Sequence, residues 1–153
     1  MPEVEKQLTL EEIAALSSLY LNEGRKKESW EILEVNVEDR ILTARVRMRS
    51  TFVSPTDPGG FHLTVFSTLE FLSQLMIIHG HVLANREEKT QEGWMLECSI
   101  SSRHPIRDPE NIQVRMEAVS IKVVREKILA TTRSLVSDDG GGLFEARLKA
   151  FLS

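Results

Sequence analysis

The sequence predicts an α+β fold in which a curved antiparallel sheet wraps around one long central helix. The longest apolar run, residues 61–84, has helical periodicity and predicts a helix over about residues 62–84. Two strand-like segments precede this run and four follow it. A helix that is apolar on most sides needs cover, and a sheet folded around it would bury both apolar surfaces.

Length and composition are those of an ordinary globular protein. The 153 residues include 41% hydrophobic and 27% charged side chains, and no repeat or long linker divides them. We therefore expect a single domain over residues 1–153. The formal net charge is -4, and the Lys and Arg residues are scattered, so nucleic acid is not an expected partner.

Cysteine content and the first residues predict a cytoplasmic protein. Cys98 is the only cysteine, which fits a reducing compartment and excludes an internal disulfide. Residues 1–12 are acidic and lack the apolar core of a signal peptide. Polar side chains, Glu70 and Gln74 among them, interrupt the long apolar run, so we expect no membrane span.

A first helix is predicted over about residues 9–22. Thr9 and Glu12 match the capping box, in which each side chain accepts a backbone N–H of the other residue. An apolar stripe follows at helical spacing, made of Leu10, Ile13, Ala14, Leu16 and Leu19. Gly24 would end this helix, and the charged residues after it would form a turn.

The next two segments, 30–37 and 41–49, predict a β-hairpin with a loop at Asp39-Arg40. The register would place Glu34 opposite Arg45 on one face. The apolar face would pair Val37 with Leu42, Val35 with Ala44 and Leu33 with Val46. Asp-Arg is not a favoured two-residue loop, so an offset of one residue is the alternative.

The central helix carries a line of polar side chains that has two interpretations. Its members recur at helical spacings and are Ser67, Glu70, Gln74 and His81, with Ser73 at the edge. If this line is the solvated side of the helix, these residues face water. If the helix is enclosed, the Glu70 carboxylate needs a partner or a function. Periodicity alone leaves both interpretations open.

Four strands are predicted after the central helix. They are 94–101, 112–124, 128–137 and 143–152. Two of these are long for strands, so we expect strong curvature or a bulge. The glycine-rich residues 138–142 form a turn. Cys98 falls on the apolar side of its strand, so an inert core thiol is expected.

Short motifs and the element order together resemble a known family. Residues 69–75, LEFLSQL, place an acidic residue just before an apolar-Gln step, and residues 101–116 form a proline-containing loop before a long strand. This combination resembles the hotdog fold of acyl-thioester enzymes, the thioesterase and dehydratase superfamily. Within it the FcoT-like group is most similar, through Gly59-Gly60-Phe61, Gln74-Leu75, Ser101-Ser102-Arg103 and a Gly-rich last hairpin.

The resemblance implies an active site on the central helix. In hotdog enzymes this helix is enclosed, usually at a dimer seam, and acyl chains run beside it. Glu70 would then be a general base that directs water at a thioester carbonyl, with its pKa raised by burial. Gln74 would orient that water, and amides at the helix start would polarise the thioester oxygen. The implied substrate-binding residues are Gly60, Phe61, Ser67, Ser73 and Arg103.

The loop before the helix departs from the dehydratase pattern. Hotdog dehydratases carry a histidine there in a Gly-His-Phe-Pro context, whereas this loop has no histidine before His62. His62 is a further catalytic candidate, but its position favours hydrolysis or addition over dehydration.

Other clusters point less clearly to a function. Arg103, His104 and Arg107 are either a solvated loop or a contact for the phosphates of coenzyme A or phosphopantetheine. His79 and His81 are two residues apart and point apart on a helix, so no metal site is expected. No resident cofactor is expected, because coenzyme A or phosphopantetheine would carry the substrate.

The sequence therefore predicts a hotdog-fold enzyme that acts on a fatty acyl or enoyl thioester, most simply by hydrolysis. The alternatives are hydration, dehydration or addition of an amine such as glycine, and a non-catalytic acyl-binding or dimerisation module. Expected partners are acyl-CoA or an acyl carrier protein. A homodimer or higher even oligomer is expected, because a sheet around one helix leaves open edges.

Overall fold

The computed structural model describes residues 7–16, 21–22 and 25–153, which form a six-stranded sheet, a two-stranded ladder and two helices. The elements are α1 (Leu10–Leu16), β1 (Leu21–Asn22), β2 (Arg25–Lys26), β3 (Ser29–Glu38), β4 (Ile41–Ser50), α2 (Val65–Leu83), β5 (Gly93–His104), β6 (Ile112–Val124), β7 (Lys127–Ser137) and β8 (Leu143–Leu152). The large sheet is antiparallel throughout, in the order β3-β4-β6-β7-β8-β5. Neither described helix combines the length and apolarity needed to cross a membrane.

The first helix has the predicted capping box but is shorter than predicted. The amide of Glu12 donates to Thr9 Oγ1 at 3.2 Å, and the amide of Thr9 donates to Glu12 Oε2 at 3.1 Å. The helix does not continue to residue 22, because Leu21–Asn22 pairs with Arg25–Lys26. Backbone groups in that ladder bond across strands instead of along a helix. Leu19 of the predicted stripe lies outside the described residues.

The β3–β4 hairpin has the predicted loop at residues 39–40, where Asp39 has a φ of 51°. The confirmed pairs are Glu34 with Arg45, Val35 with Ala44 and Val37 with Leu42. The predicted pairing of Leu33 with Val46 is wrong. A bulge between Ile32 and Glu34 sets Ile32 opposite Val46, because a bulge places one extra residue in one strand.

The central helix begins three residues later than predicted, at Val65. Leu63 lies before the helix, and its amide donates to the carbonyl of Ile106 at 2.8 Å. Thr64 is the N-cap residue, and its hydroxyl accepts from the amide of Ser67 at 3.2 Å. Capping by a threonine satisfies one of the amides that a first helical turn leaves without an intrahelical acceptor. This places the helix start against the 105–109 loop.

The core lies between one side of α2 and one face of the sheet. The helix contributes Phe71, Leu72, Leu75 and Met76, all buried. The sheet contributes alternating residues of β4, β6, β7 and β8, among them Leu42, Val46, Ile112, Met116, Val136 and Leu148. A side chain on Gly80 would collide with Leu152, so glycine allows α2 to approach β8 closely.

The edge strand β5 is exposed along nearly its whole length. Only Ile100 is partly buried, and Trp94 is 56% exposed. Cys98 pairs with the buried Leu148 of β8 but is itself exposed, so the predicted core thiol is wrong. An edge strand has a neighbour on one side only, and α2 reaches β5 near its start, where Ile77 lies against Gly93. The predicted bulge in a long strand is present in β6, at Ala118/Ser120.

Candidate active site

The predicted polar line on α2 divides into two sides. Ser67 is fully buried and His81 is buried, whereas Glu70 and Gln74 are exposed. The line therefore is neither a solvated face nor an enclosed one. The buried residues, Ser67 and His81, make hydrogen bonds to other parts of the chain. The exposed residues, Glu70 and Gln74, present a carboxylate and an amide one helical turn apart.

Glu70 is held by a tryptophan from β3. The indole Nε1–H of Trp30 donates to Glu70 Oε1 at 3.0 Å. The Trp30 ring in turn meets Phe71 edge to face, with ring centroids 6.0 Å apart. Because Phe71 is a core residue, this contact fixes the indole and, through it, the carboxylate. The predicted burial of Glu70 is not observed in the single chain.

A second carboxylate, missed by the sequence analysis, lies next to this site. Glu28 is 7% exposed, and its Oε2 accepts from the Ser67 hydroxyl at 2.8 Å. Its Oε1 is buried and has no hydrogen-bond partner among the described residues. A buried oxygen of this kind is costly unless something else pairs with it. Glu28 stands in a charged segment that reads as a turn, so the sequence gives no signal of its burial.

The two carboxylate contacts connect the start of β3 to the start of α2. Glu28 and Trp30 are two residues apart on the chain, and Ser67 and Glu70 are three apart on the helix. At about 1.5 Å of rise per residue, the two helix positions lie roughly 4.5 Å apart along the axis. The result is one buried and one exposed carboxylate at the same junction.

The loop before α2 is organised around Asp57. The Asp57 carboxylate bonds His62 Nδ1 at 2.7 Å, accepts from the amide of Gly59 at 2.9 Å and meets the Arg107 guanidinium at 3.4 Å. The Gly59 amide, followed by His62 and Arg107, holds the pKa of Asp57 below its ordinary value. Gly60 completes the turn with a φ of 76°, a conformation that favours glycine. Because its Nδ1 bonds the Asp57 carboxylate, the His62 ring points into this loop.

The 105–109 loop is tied to the last hairpin by Asp138. Burial alone would raise the pKa of Asp138, but backbone amides of Arg107, Gly142, Asp108 and Gly140 donate to its carboxylate and hold the pKa below its ordinary value. This fixes Arg107 beside the helix start. Arg103 of the same basic group instead pairs with Glu145 of β8, with N and O 3.1 Å apart.

The remaining predicted substrate-binding residues are engaged within the chain. Phe61 is buried, and its carbonyl accepts from Arg107 Nη1 at 3.5 Å. The Ser73 hydroxyl donates to the carbonyl of Leu69 at 2.7 Å, one turn back on its own helix. Phe61 and Ser67 are therefore buried residues that hold the start of α2 in place, and Ser73 makes a hydrogen bond within its own helix.

Apolar side chains flank Glu70 and Gln74 on the exposed side of α2. Phe66 is 58% exposed one turn before Glu70, and Ile78 is exposed one turn after Gln74, with Val65 and Val82 exposed at the two ends. An exposed apolar surface around a polar pair is typical of a binding surface. The amides of the first helical turn point out of the N-terminal end of α2, about one turn before Glu70.

The two helix histidines are separate, as predicted. His81 Nδ1 bonds the carbonyl of Ile77 at 2.8 Å, and its Nε2 accepts from the amides of Thr90 and Gln91. His79 is buried elsewhere, and burial lowers its pKa. Among the described residues, no three His, Cys, Asp or Glu side chains are grouped so that they could hold a metal ion.

Comparison with solved structures supports the predicted architecture. The sequence matches no protein-family model and no curated protein. Its fold is similar to that of a hypothetical thioesterase from Streptococcus pneumoniae solved with coenzyme A, at 12% identity and a TM-score of 0.54, over 82% of this chain and 89% of that one. A thioesterase from Haemophilus influenzae gives 15% identity and a TM-score of 0.54, over 97% and 92%. Thioesterase superfamily member 2 from Mus musculus gives 13% and 0.53, over 81% and 82%.

These similarities confirm the predicted hotdog fold, and at 12–15% identity they concern the fold alone. The shared architecture is a six-stranded antiparallel sheet with one main helix. The narrower resemblance to the FcoT-like group stays a prediction.

Proposed function

We propose that this protein hydrolyses a fatty acyl or enoyl thioester carried on coenzyme A or an acyl carrier protein, with Glu70 as the general base. The observation that carries the proposal is the carboxylate of Glu70, exposed on an apolar face of α2 and held by the Trp30 indole at 3.0 Å. The fold is that of proteins named thioesterases, one of them solved with coenzyme A. We also propose a cytoplasmic location, in keeping with the single cysteine.

The reaction needs a base and a group that accepts negative charge. Glu70 removes a proton from water as the water oxygen attacks the thioester carbonyl carbon. First-turn amides of α2 donate to the oxyanion that forms, since such amides lack intrahelical acceptors. The intermediate then collapses, the C–S bond breaks, and the proton passes from Glu70 to the thiolate sulfur. The products are a free acid and a thiol.

Neighbouring residues support this step in different ways. Gln74 lies one turn after Glu70 and orients the attacking water. Trp30 donates to Glu70 Oε1 and so holds the carboxylate in place on the exposed side of the helix. His62 and Asp57 shape the loop before the helix, and Arg107 puts a cation beside the helix start, near where phosphates of the carrier would approach.

A second copy of the chain completes the site in this proposal. The edge strand β5 is exposed on both faces, and α2 bears exposed Phe66, Ile78 and Val82. Pairing of two β5 edges would join the two sheets into one, and the exposed sides of the two α2 helices would then pack together over the seam. Glu70 would then be shielded from bulk water, which strengthens its interaction with a substrate.

Mass spectrometry of a reaction mixture tests the function. The purified protein is incubated with a medium-chain acyl-CoA and, separately, with the corresponding trans-2-enoyl-CoA plus glycine. We expect free acid and free coenzyme A from the acyl-CoA. An adduct with the mass of water or glycine on the intact enoyl thioester would indicate addition instead. Unchanged thioesters, tested both as coenzyme A and as carrier-protein esters, would contradict a catalytic function and favour a binding module.

A further inference from the structure

The structure contains a cavity away from Glu70, at the C-terminal end of α2. It has a volume of about 300 Å³ and lies between the helix and strands β6 and β7. Its apolar lining comes from Met76, Leu83, Ala118, Ile128 and Ala130. Ala118 and Ile128 are buried, whereas Arg40 and Val123 are exposed, so the cavity opens to solvent at the β3–β4 turn.

One buried polar side chain in this cavity is incompletely paired. His79 is 1% exposed and lines the cavity, and neither of its ring nitrogens makes a hydrogen bond of normal length and angle with a described residue, although the Asp39 backbone interacts with the ring. Buried polar atoms are rarely left unpaired, so a group inside the cavity is expected to meet them. Burial lowers the pKa of His79. A hydrogen-bonding interaction with the Asp39 backbone raises the pKa by a smaller amount. The neutral imidazole offers one N–H donor.

A positive charge stands at the opening. Arg40 lines the cavity, is exposed, and forms no ion pair with any residue that the structure describes. The backbone of Arg40 is fixed, because its carbonyl accepts from the amide of Ala118 at 2.8 Å. Arg40 and His79 line the same cavity, and a guanidinium and an imidazole N–H that share one space are suited to a carboxylate, whereas the apolar interior is suited to a hydrocarbon chain.

We propose that this cavity binds a monocarboxylate with a short hydrocarbon tail, its head group held by Arg40 and His79 and its tail between α2 and β6–β7. The site is separate from Glu70, since nine residues of helix place His79 about 13 Å farther along α2. The proposal does not depend on thioester hydrolysis and holds whether or not the protein is an enzyme.

Isothermal titration calorimetry with sodium octanoate tests the proposal, and 1-octanol provides the same tail without the carboxylate. We expect saturable binding of one octanoate per chain and weaker binding of octanol. Arg40→Gln should weaken octanoate binding by about tenfold or more, because it removes a charged hydrogen-bond donor. Ala130→Leu should abolish binding by filling the cavity, and Ala118→Leu repeats this test if the first variant does not fold.

Two control variants test whether octanoate binds in this cavity and through Arg40. Asp39→Asn removes a negative charge from the same turn and should not weaken octanoate binding. Glu70→Gln should leave it unchanged, since Glu70 lies outside the cavity. The proposal is overturned if the wild type shows no saturable octanoate binding, if Arg40→Gln and the cavity-filling variants bind as tightly as wild type, or if Glu70→Gln abolishes binding.

Discussion

At the scale of single residues, the candidate site contains two carboxylates, Glu70 and Glu28, that lie in different environments. Glu70 is exposed and receives one indole N–H, whereas Glu28 is buried and receives one serine hydroxyl. An exposed carboxylate can exchange protons with water and meet a substrate. A buried one with a single donor serves mainly to fix the junction between β3 and α2.

The Ser67–Glu28 hydrogen bond should be worth more than an ordinary one. Ser67→Ala removes the hydrogen-bond donor that the described residues supply to this buried carboxylate and should lower the free energy of unfolding by about 1.5–3 kcal/mol. In a Glu28→Gln background the same change should have a smaller effect, because the charge is gone. Urea denaturation of the two single variants and the double variant measures this coupling. Additive losses would mean that the two side chains do not interact.

His79 should make stability depend on pH. Its pKa is lowered in the folded protein from an ordinary value of 6.5, so below that pH the unfolded chain binds a proton that the folded chain does not. Stability rises with pH wherever the unfolded state binds more protons. The unfolding free energy should therefore fall as pH drops from about 6.5 toward the folded-state pKa. His79→Gln should flatten this part of the profile, and an unchanged profile would contradict the burial of a neutral imidazole.

Some contacts around the candidate site could not be predicted from the sequence, because they join residues that are far apart along the chain. Glu28 lies among charged residues, and its burial arises from the distant Ser67, which no local pattern reveals. Arg107 was a candidate, but its contact with Asp57 could not be predicted, because the two residues are fifty positions apart and meet only where the loop before α2 packs on the 105–109 loop. The relative position of Glu70 and Gln74 could be predicted, because both stand on one regular helix, where spacing determines direction.

At the scale of elements, α2 supplies both the core and the site. Its buried side packs on the sheet through Phe71, Leu72, Leu75 and Met76, and its exposed side presents Glu70 and Gln74. One rigid element thus positions the site, and the Thr64 cap and the 105–109 loop fix where it begins.

Truncation of the buried side of α2 should be strongly destabilising. Leu72→Ala and Met76→Ala should each lower the unfolding free energy by roughly 2–5 kcal/mol, since both side chains are buried in the core. Gln74→Ala, on the exposed side of the same helix, is the matched control and should change it by about 0.5 kcal/mol or less. Similar values for all three variants, measured by chemical denaturation, would contradict the packing of α2 described above.

The order of elements along the chain and most of the hairpin register could be predicted, because side chains alternate along a strand. The error at Leu33 has a clear cause. Ile32 and Leu33 are both apolar, so the pattern does not tell which of them faces Val46, and the bulge decides it. Cys98 was assigned to the core from alternation alone, which cannot show that its strand lies at the edge of the sheet.

At the scale of the whole molecule, the exposed surfaces of β5 and α2 predict self-association. Cys98→Lys places a charge on the inner side of the edge strand, where natural edge strands carry charges that prevent pairing. We expect a stable dimer for wild type and a monomer for this variant in sedimentation velocity experiments. Ser99→Lys, on the opposite face of β5, is the matched control and should remain dimeric. A wild-type monomer at micromolar concentration would contradict the proposed assembly.

The central claim is that Glu70 acts as the base in thioester hydrolysis, and the rate of free coenzyme A release from an acyl-CoA tests it most directly. Glu70→Gln keeps the shape of the side chain and removes its ability to take a proton. We predict that this variant folds normally and loses turnover by about 10²–10⁴-fold, whereas His62→Ala, which loses only the contact with Asp57, shows a much smaller loss. Full turnover by a normally folded Glu70→Gln protein would contradict the claim and leave Glu70 as a solvent-facing residue of α2.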